Sequence, residues 1–446
     1  MFWQTSSGRI SLEEPLYLGI LNLTPDSFSD GGAYQQPVAA LAQAKHLVTQ
    51  GVGVLDIGGE STRPGARIVA LDEEWRRLEN TLARLGQTLP EVPLSLDSRH
   101  APVALKGLSQ GVAILNDVSG FSDQAMLELA QHSTCGLIAM RSRFQDGRLL
   151  MPPYDDPTYR SAERALGELR HVKARLLDAG IAPERILLDP GFGFGTTFRE
   201  DLSLWEALPC LAEAVGWPVE RFCIGISRKR FLAVRAGRPQ SLPHLRDGLT
   251  AAAHAEARRL GFKAFRTHAM PEAQVRMAQD HDAPAIAAVH VASWRAAYRG
   301  MLPETFLDTL SLGEKEALAL ATIQKPESAA HRLLVLDRGG CILGFAAIGP
   351  AKGQVESGTA EVFAIYLHPT AWAQGLGRVL MAKALEALQQ DGFTQAVLWV
   401  LERNARARTF YEAGGWVPCG KPRTQWHGGI AMRELGYCLD ITLHKD

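Results

Sequence analysis

The sequence predicts an α/β architecture: a (β/α)8 barrel, followed by a separate α+β domain with a mixed, largely antiparallel sheet. Three observations predict it. Between Leu16 and about Thr267, eight short apolar runs alternate with longer segments whose apolar residues recur at helical spacing. Polar residues collect at the downstream ends of those runs. Beyond Ala269 the alternation gives way to strands joined by short connections, which imply mostly antiparallel pairing.

The eight runs are YLGILN, GVLDIGG, VPLSLDS, VAILNDV, GLIAM, ILLDPG, FCIGIS and FKAFRT. Helical patterns fill the gaps at Pro37 to Gln50, Leu71 to Leu85, Ala101 to Gln110, Ser122 to His132, Tyr159 to Gly180, Leu202 to Val215 and Leu245 to Leu260. Residues 1–14 read as a preceding hairpin. Strand and helix alternating eight times over roughly 250 residues point to a closed barrel.

In the second half, Val275 to Gln279 reads as a strand that leads into a helix from Ala283 to about Tyr298. Strands follow at Arg332 to Asp337, Ile342 to Ile348 and Thr359 to Leu367. A glycine-rich turn, a helix from Leu376 to Gln390, a strand at Gln395 to Val400, a helix from Ala405 to Ala413 and a strand around Gly429 to Leu435 complete it. The expected domains are therefore 1–270 and 271–446. Residues Pro271 to His281 are needed either as the barrel's last outer helix or as the second domain's first strand. The strand reading leaves the barrel short of one helix, with the second domain expected against the gap.

Composition bounds the function. The 446 residues suffice for two or three domains. A 46% hydrophobic and 21% charged content excludes a disordered or repetitive chain. With 47 Lys and Arg against 48 Asp and Glu there is no global field for nucleic acid or anionic membrane, so neither is an expected partner. Cys135, Cys210, Cys223, Cys341, Cys419 and Cys438 form no metal-ligand spacing and read as reduced and buried. No targeting segment or long apolar stretch occurs, so a cytoplasmic protein is expected.

The strand-end polar residues are Asn22, Asp56, Asp97, Asn116, Asp189, Ser227, Arg266 and His268. In a barrel those ends meet at one mouth. A core strand has little reason to finish in an acid, since a buried carboxylate is costly unless paired. Any one of these residues could instead cap the next helix, but eight in register argue for a site.

Seven motifs carry a resemblance for this half: ILNLTPDSFSDGG at 20–32, LDIGGESTRPGA at 55–66, SLDS at 95–98, ILNDVSG at 114–120, LLDPGFGFG at 187–195, GISRKRF at 225–231 and RTH at 266–268. In order and spacing they resemble dihydropteroate synthase. The resemblance implies condensation of a dihydropterin methyl pyrophosphate with 4-aminobenzoate. It implies Asp97, Asn116, Asp189 and Lys229 around the pterin ring, with Met140 and Phe194 packing on it or serving as ordinary core. A carboxylate accepts two ring donors and an amide both donates and accepts, which suits the aminopyrimidine edge. By the same resemblance Arg63, Arg266 and His268 face the pyrophosphate, and Thr62 and Ser227 place the 4-aminobenzoate. The resemblance also implies that Asn22 helps coordinate Mg2+, an ion carried largely by phosphate oxygens and water. Arg228 reads equally as solvent-facing or as part of the site.

Three positions depart from that family's pattern: Arg141 follows Met140 where Met-His-Met is usual, Thr196 replaces Lys, and Ala269 replaces Asp. A different amine acceptor is the alternative they leave open. The family barrel dimerises through its outer helices, but the appended domain leaves a homodimer or another state open.

Residues from about 274 to 437 resemble the GCN5-related N-acetyltransferases, on VFAIYLHPTAWAQGLGRVLMAKAL and LWVLERNARARTFYEAGGW. The resemblance implies acetyl-CoA held by Leu367, Gln374, Gly375, Leu376, Gly377 and Asn404, with backbone N–H groups at a helix N-terminus facing its pyrophosphate. Tyr411 would return a proton to the thiolate or simply pack in its helix. Glu361 would take a proton from the attacking amine. Trp372 and Ala373 stand where Arg or Gln and Gly are usual. Trp294, Tyr298, Trp399 and Trp426 shape an acceptor pocket or, for the first two, a helix core face; the acceptor reads as a small amine or a protein amino terminus. The alternatives are that one domain alone is catalytic, the other being a pterin or CoA sensor, or that the second domain is structural.

Overall fold

The computed structural model describes every residue except 25–35, 61–68, 146–147, 151, 154–155, 157, 159–160, 325–329, 354–357, 428–429 and 443–446. The chain divides into two compact units, Met1–Pro271 and Glu272–Asp446.

The first unit opens with an antiparallel hairpin of β1 (Phe2–Thr5) and β2 (Gly8–Ser11). The eight expected apolar runs are all strands. They are β3 (Leu16–Asn22), β4 (Val54–Gly58), β5 (Leu94–Asp97), β6 (Ile114–Asp117), β7 (Gly136–Met140), β10 (Ile186–Asp189), β11 (Cys223–Ile224) and β12 (Ala264–Thr267), with a small β8 (Phe144–Gln145) and β9 (Arg148–Leu149) pair after the fifth. Their order, β10-β7-β6-β5-β4-β3-β12-β11, is parallel throughout, and a parallel bridge between Leu188 and Phe222 joins its two ends. Outward-facing strand residues such as Leu55, Leu96, Leu115 and Leu137 pack with the surrounding helices in one apolar cluster. Inward-facing Leu18, Val54, Ile114, Ile138 and Leu187 form a second cluster, closed off by Trp3 and Leu12 of the hairpin segment. Trp3 Nε1 donates to the Arg185 carbonyl at 2.9 Å, which ties the plug to the chain entering β10.

Two helical segments differ from expectation. The pattern from Leu202 to Val215 is split: a helix at Phe198–Glu206, a 3-10 turn at Leu208–Cys210, and a short helix at Leu211–Val215. Pro209 cannot donate an amide hydrogen bond, which breaks the continuous helix. Between β11 and β12 a short helix, Arg230–Arg235, precedes the expected one at Asp247–Arg259. No helix follows β12 within the first unit; Ala273–Met277 is instead a strand, β13, of the second.

Among the described residues, the second unit has a sheet of seven strands in the order β13-β14-β15-β16-β17-β19-β18. Its members after β13 are β14 (Arg332–Arg338), β15 (Cys341–Pro350), β16 (Thr359–Leu367), β17 (Gln395–Leu401), β18 (Val417–His427) and β19 (Ile430–Asp440). Every pairing is antiparallel except β16 with β17. Helices at Ala283–Ala297, Leu376–Gln390 and Ala405–Ala413 lie where the periodicity puts them. Helices Glu304–Asp308 and Leu312–Gln324 were not anticipated, nor was β18. Pro418, Gly420 and Pro422 hide that strand, and the register shift between Cys419 and Arg423 shows how they are accommodated.

The cysteines are all free, but only Cys135 and Cys223 are buried; Cys210 is exposed and the other three are half-buried, against the expectation that all six are interior. No described helix is long and apolar enough to cross a membrane.

Candidate active sites

A cavity of about 630 Å3 opens at the downstream ends of the barrel strands. Asn22, Asp97, Phe194, Ser227, Lys229, Arg266 and His268 line it, each anticipated from sequence. Strand register explains part of this convergence. Asn22 is level with Gly58, Gly58 with Asp97, and Asp97 with Asn116. Thr62 and Arg63 lie outside the described residues.

Arg266 starts lower, level with Leu18, and its long side chain rises through the barrel. Its Nε donates to Asp56 Oδ2 at 2.8 Å and its Nη2 to Asp97 Oδ2 at 2.7 Å. Asp56, fully buried, also accepts from Ser95 Oγ at 2.6 Å and from Asn116 Nδ2 at 3.1 Å. This carboxylate, read from sequence only as one of the strand-end acids, is the hub that fixes Asn116 and Arg266. Burial, reinforced by the neighbouring Asp56 charge and opposed by Arg266, pushes the Asp97 carboxyl up to about 7.

Asn116, Asp189 and Met140 are buried and do not line the cavity. Asp189 Oδ1 accepts the Gly191 N–H at 2.8 Å, whereas Oδ2 has no hydrogen-bond partner among the described residues. Gly225, which lines the cavity, is the screen between: a Cβ there would meet Asp189 Oδ2 at 2.7 Å. Burial raises the Asp189 carboxyl, and a ligand that donates to the unpartnered Oδ2 would offset that cost.

Two of the three departures from the family pattern, Arg141 and Thr196, acquire structural explanations; nothing in the structure explains Ala269. Arg141 is fully buried, and its guanidinium donates to the Pro190 carbonyl at 3.0 Å, to the Gly191 carbonyl at 2.7 Å and to Glu168 at 3.1 Å. It thereby pins the turn after β10 that carries Asp189. Gly191 there has φ +70°, and a Cβ would lie 1.9 Å from the Arg141 carbonyl oxygen, so no other residue fits. Thr196 donates to Asp201 Oδ1 at 2.7 Å and accepts the Gly193 N–H at 3.1 Å. Asp201 also accepts the Gly193 N–H at 2.9 Å, and burial pushes its carboxyl up to about 6. In sequence this acid resembled any first-turn helix acid, which is why it escaped notice.

Lys229 Nζ sits 3.8 Å from the Phe194 ring centroid, a cation–π contact that holds the ammonium on the wall. Ser227 Oγ accepts the His268 N–H at 3.1 Å and lies 3.0 Å from His268 Nδ1. Arg228, with φ +61°, donates to both Asp247 oxygens at 2.7 and 2.8 Å and lines the cavity, so it is not merely solvent-facing. Among the described residues no group of three or more His, Cys, Asp or Glu could hold a metal.

The second unit has its own cavity, about 810 Å3. Leu367, Gly375, Leu376, Gly377, Asn404, Tyr411 and Glu361 line it; Gln374 does not, being bonded to Arg338 and to the Thr370 carbonyl. Gly375 caps the helix Leu376–Gln390 at φ +75°, and Ala373 beside it adopts φ +59°, a left-handed conformation normally left to glycine. Trp372 donates to the Leu367 carbonyl at 2.9 Å and carries the Arg406 guanidinium 3.7 Å above its ring. Asn404 caps the helix Ala405–Ala413 by accepting the Ala407 N–H at 3.1 Å. Burial raises both the Tyr411 phenol and the Glu361 carboxyl.

Residues 18–268 match the family of pterin binding enzymes, and residues 294–416 the acetyltransferase (GNAT) family. The chain is 40% identical over 274 residues to the dihydropteroate synthase of Neisseria meningitidis serogroup C, covering 60% of this chain and 92% of that protein. It is 36% identical over 232 residues to the Bacillus subtilis (strain 168) enzyme, covering 52% and 75%. Among solved structures, the Yersinia pestis dihydropteroate synthase in a sulfonamide drug complex is similar at a TM-score of 0.53 and 31% identity, covering 60% of this chain and 94% of that one. The Xanthomonas albilineans enzyme with 4-aminobenzoic acid is similar at 0.50 and 35%, covering 58% and 89%. With the closed barrel, its polar mouth and the second sheet with its glycine turn, these matches show that the chain belongs to the pterin binding enzymes, as a dihydropteroate synthase domain fused to a GNAT acetyltransferase domain.

Proposed function

We propose that the barrel condenses 6-hydroxymethyl-7,8-dihydropterin pyrophosphate with 4-aminobenzoate, releasing 7,8-dihydropteroate and pyrophosphate. The observation that carries it is the convergence of Asp97, Lys229, Arg266 and His268 on one cavity at the strand ends. Asp97 and Asp189 offer acceptors to the ring's amino and N–H donors, and Lys229 offers a donor to its keto oxygen. Arg266, shared between Asp56 and Asp97, positions the Asp97 carboxylate and adds positive charge on the side where pyrophosphate departs. His268, which lines the same cavity, and Arg63 are proposed to face the pyrophosphate as well. Stabilising the leaving group while the pterin methylene ionises is the main contribution, and the arylamine nitrogen then attacks that carbon. Ser227, which lines the same cavity, and Thr62 are the residues proposed to hold 4-aminobenzoate.

Asn22 faces the same cavity with an amide oxygen, a hard donor of the kind Mg2+ prefers. A single protein oxygen fits an ion held mainly by substrate phosphate and water, and when bound it would neutralise pyrophosphate charge.

For the second unit we infer acetyl transfer from acetyl-CoA to an amine. The glycine turn at 375–377, the Asn404 cap and Tyr411 all face its cavity, which supports the reading. Incubation of the full chain with the pterin pyrophosphate, labelled 4-aminobenzoate and Mg2+ is expected to give labelled dihydropteroate by mass spectrometry. Calorimetry is expected to detect acetyl-CoA binding. Absence of either result removes the corresponding half of the reading.

A further inference from the structure

The inference concerns the acceptor and rests on the acetyltransferase reading of the second unit. Strands β16 and β17 run parallel and pair from Thr359–Gln395 to Glu361–Val397. Beyond that point both continue, to Leu367 and Leu401, paired with β15 and β19 but not with each other. They splay apart, and the cavity occupies the wedge. Glu361 stands at its apex and Leu367 at its mouth, about 20 Å away at ~3.3 Å per strand residue.

The two sides of the sheet bear opposite charge. On the side covered by the helices Leu376–Gln390 and Ala405–Ala413, Arg378 and Arg406 sit in the first turns of those helices and line the cavity. Leu398 and Val400 pack toward that side, with Tyr411 and Leu380. Alternation turns Trp399 and Leu401 the other way, and Leu401 indeed clusters with Leu302, Met432, Trp294 and Tyr298.

That second arm holds the carboxylates Glu361 and Glu434 against one lining cation, Arg423. Arg423 is already engaged: its Nε donates to Glu434 at 2.7 Å and its guanidinium lies 4.2 Å from the Trp399 ring centroid. His290 stacks on Tyr366 at 5.2 Å and adds no charge at neutral pH, since burial, then Lys315, pulls it down to about 4. Lys315 lies over Trp294, 5.6 Å from its ring, and is not part of the cavity wall. Lys352, whose charge also acts on Glu361, lies over the Phe363 ring, 5.8 Å from its centroid, and is not part of the cavity wall. Among the described residues, the wall of this arm therefore carries one carboxylate more than it has cations.

We propose that the acceptor is a small primary alkylamine bearing an aromatic or comparably apolar body, its ammonium drawn to Glu361 and Glu434 and its body held between Trp294, Tyr298 and Trp399. An anionic arylamine such as 4-aminobenzoate would bring a carboxylate into an arm that is already acidic. In the reaction the ammonium first loses one proton to Glu361. The nitrogen lone pair attacks the thioester carbonyl carbon, the C–N bond forms and the C–S bond breaks. The thiolate takes a proton, for which Tyr411 is the buried phenol among the described residues lining the cavity, and the nitrogen loses its second proton. The balance is ammonium plus acetyl-CoA to amide, CoA thiol and one released proton.

The test uses the full chain with acetyl-CoA and either phenethylamine or 4-aminobenzoate, following thiol release, with calorimetry of acetyl-CoA binding in parallel. Phenethylamine should be acetylated with a kcat/KM at least about tenfold above that of 4-aminobenzoate. Glu434→Gln should raise the phenethylamine KM about tenfold, and Arg423→Gln should lower it, with acetyl-CoA affinity unchanged in both. A structural role alone would not move KM in opposite directions. Preference for 4-aminobenzoate, or a KM shift of the same sign in both variants, overturns the proposal. Acetyl-CoA binding without acetylation of phenethylamine overturns this proposal alone, whereas absence of acetyl-CoA binding overturns the transferase reading and the proposal with it.

Discussion

Arg266 Nη2 donates to Asp97 Oδ2 at 2.7 Å, so the acid that faces the cavity is held by a cation whose other partner, Asp56, is wholly buried. Asp97 keeps a fifth of its side chain accessible at the site. Its carboxylate is aimed by this pair, and Asp97→Ala is expected to weaken pterin binding at least about tenfold by removing a charged hydrogen-bond acceptor. Arg266 retains Asp56 in that variant, so the barrel should stay folded. Fluorescence titration with a pterin checks affinity, and circular dichroism checks the fold.

The same pair sets a pH dependence. With the Asp97 carboxyl raised to about 7, the ionised acceptor becomes predominant only above neutrality. Pterin affinity should therefore rise about tenfold between pH 6 and pH 8 and level off above. The stability contribution has the opposite trend: folding favours protonated Asp97, so its stabilisation is complete below about pH 4 and is lost as pH rises through about 7. Titration of affinity against pH, in wild type and Asp97→Asn, separates this group from others.

Arg141→Met should destabilise the first unit by about 2–5 kcal/mol, because it leaves the buried Pro190 and Gly191 carbonyls without their donor, while Glu168 keeps Arg164. Chemical denaturation measures this directly. Pterin affinity should fall as well, since the turn positions Asp189. An unchanged midpoint would remove Arg141 from the role assigned to it.

Gly225→Ala isolates Asp189 without touching it. The added methyl would stand 2.7 Å from Asp189 Oδ2, and the residue's φ is not in the left-handed region, so the effect is steric. Pterin affinity should drop about tenfold as the carboxylate is displaced or screened. Calorimetry on the variant reads the change.

Ala373→Gly should stabilise the second unit by about 1 kcal/mol, the strain of a left-handed alanine less the entropy glycine loses on folding. Thermal unfolding followed by tryptophan fluorescence reads the change. Acetyl-CoA affinity should be equal or higher in the variant.

The strands were legible because a strand of a closed parallel barrel is apolar on both faces, so each appears as a short continuous run. The mouth was legible for the complementary reason: acids and amides at Asn22, Asp97, Asn116 and Asp189 have no place in a core. Asp56 was visible as an acid, but its role as a clamp depends on Arg266, 210 positions away, and no local pattern carries that. Asp201 and Thr196 were hidden in an ordinary helix start. In the second unit, β18 was obscured by Pro418, Gly420 and Pro422, and with it went Arg423. Glu434, on an anticipated strand, gained meaning only once Arg423 was opposite it.

The central claim is that the barrel carries out the condensation at the cavity holding Asp97 and Arg266. Pyrophosphate release from the dihydropterin pyrophosphate on addition of 4-aminobenzoate, in wild type and Asp97→Ala, tests it most directly. The account predicts one pyrophosphate per dihydropteroate formed in wild type and loss of turnover in the variant. Pyrophosphate release at the wild-type rate from Asp97→Ala, or none from wild type with the pterin substrate bound, would contradict it.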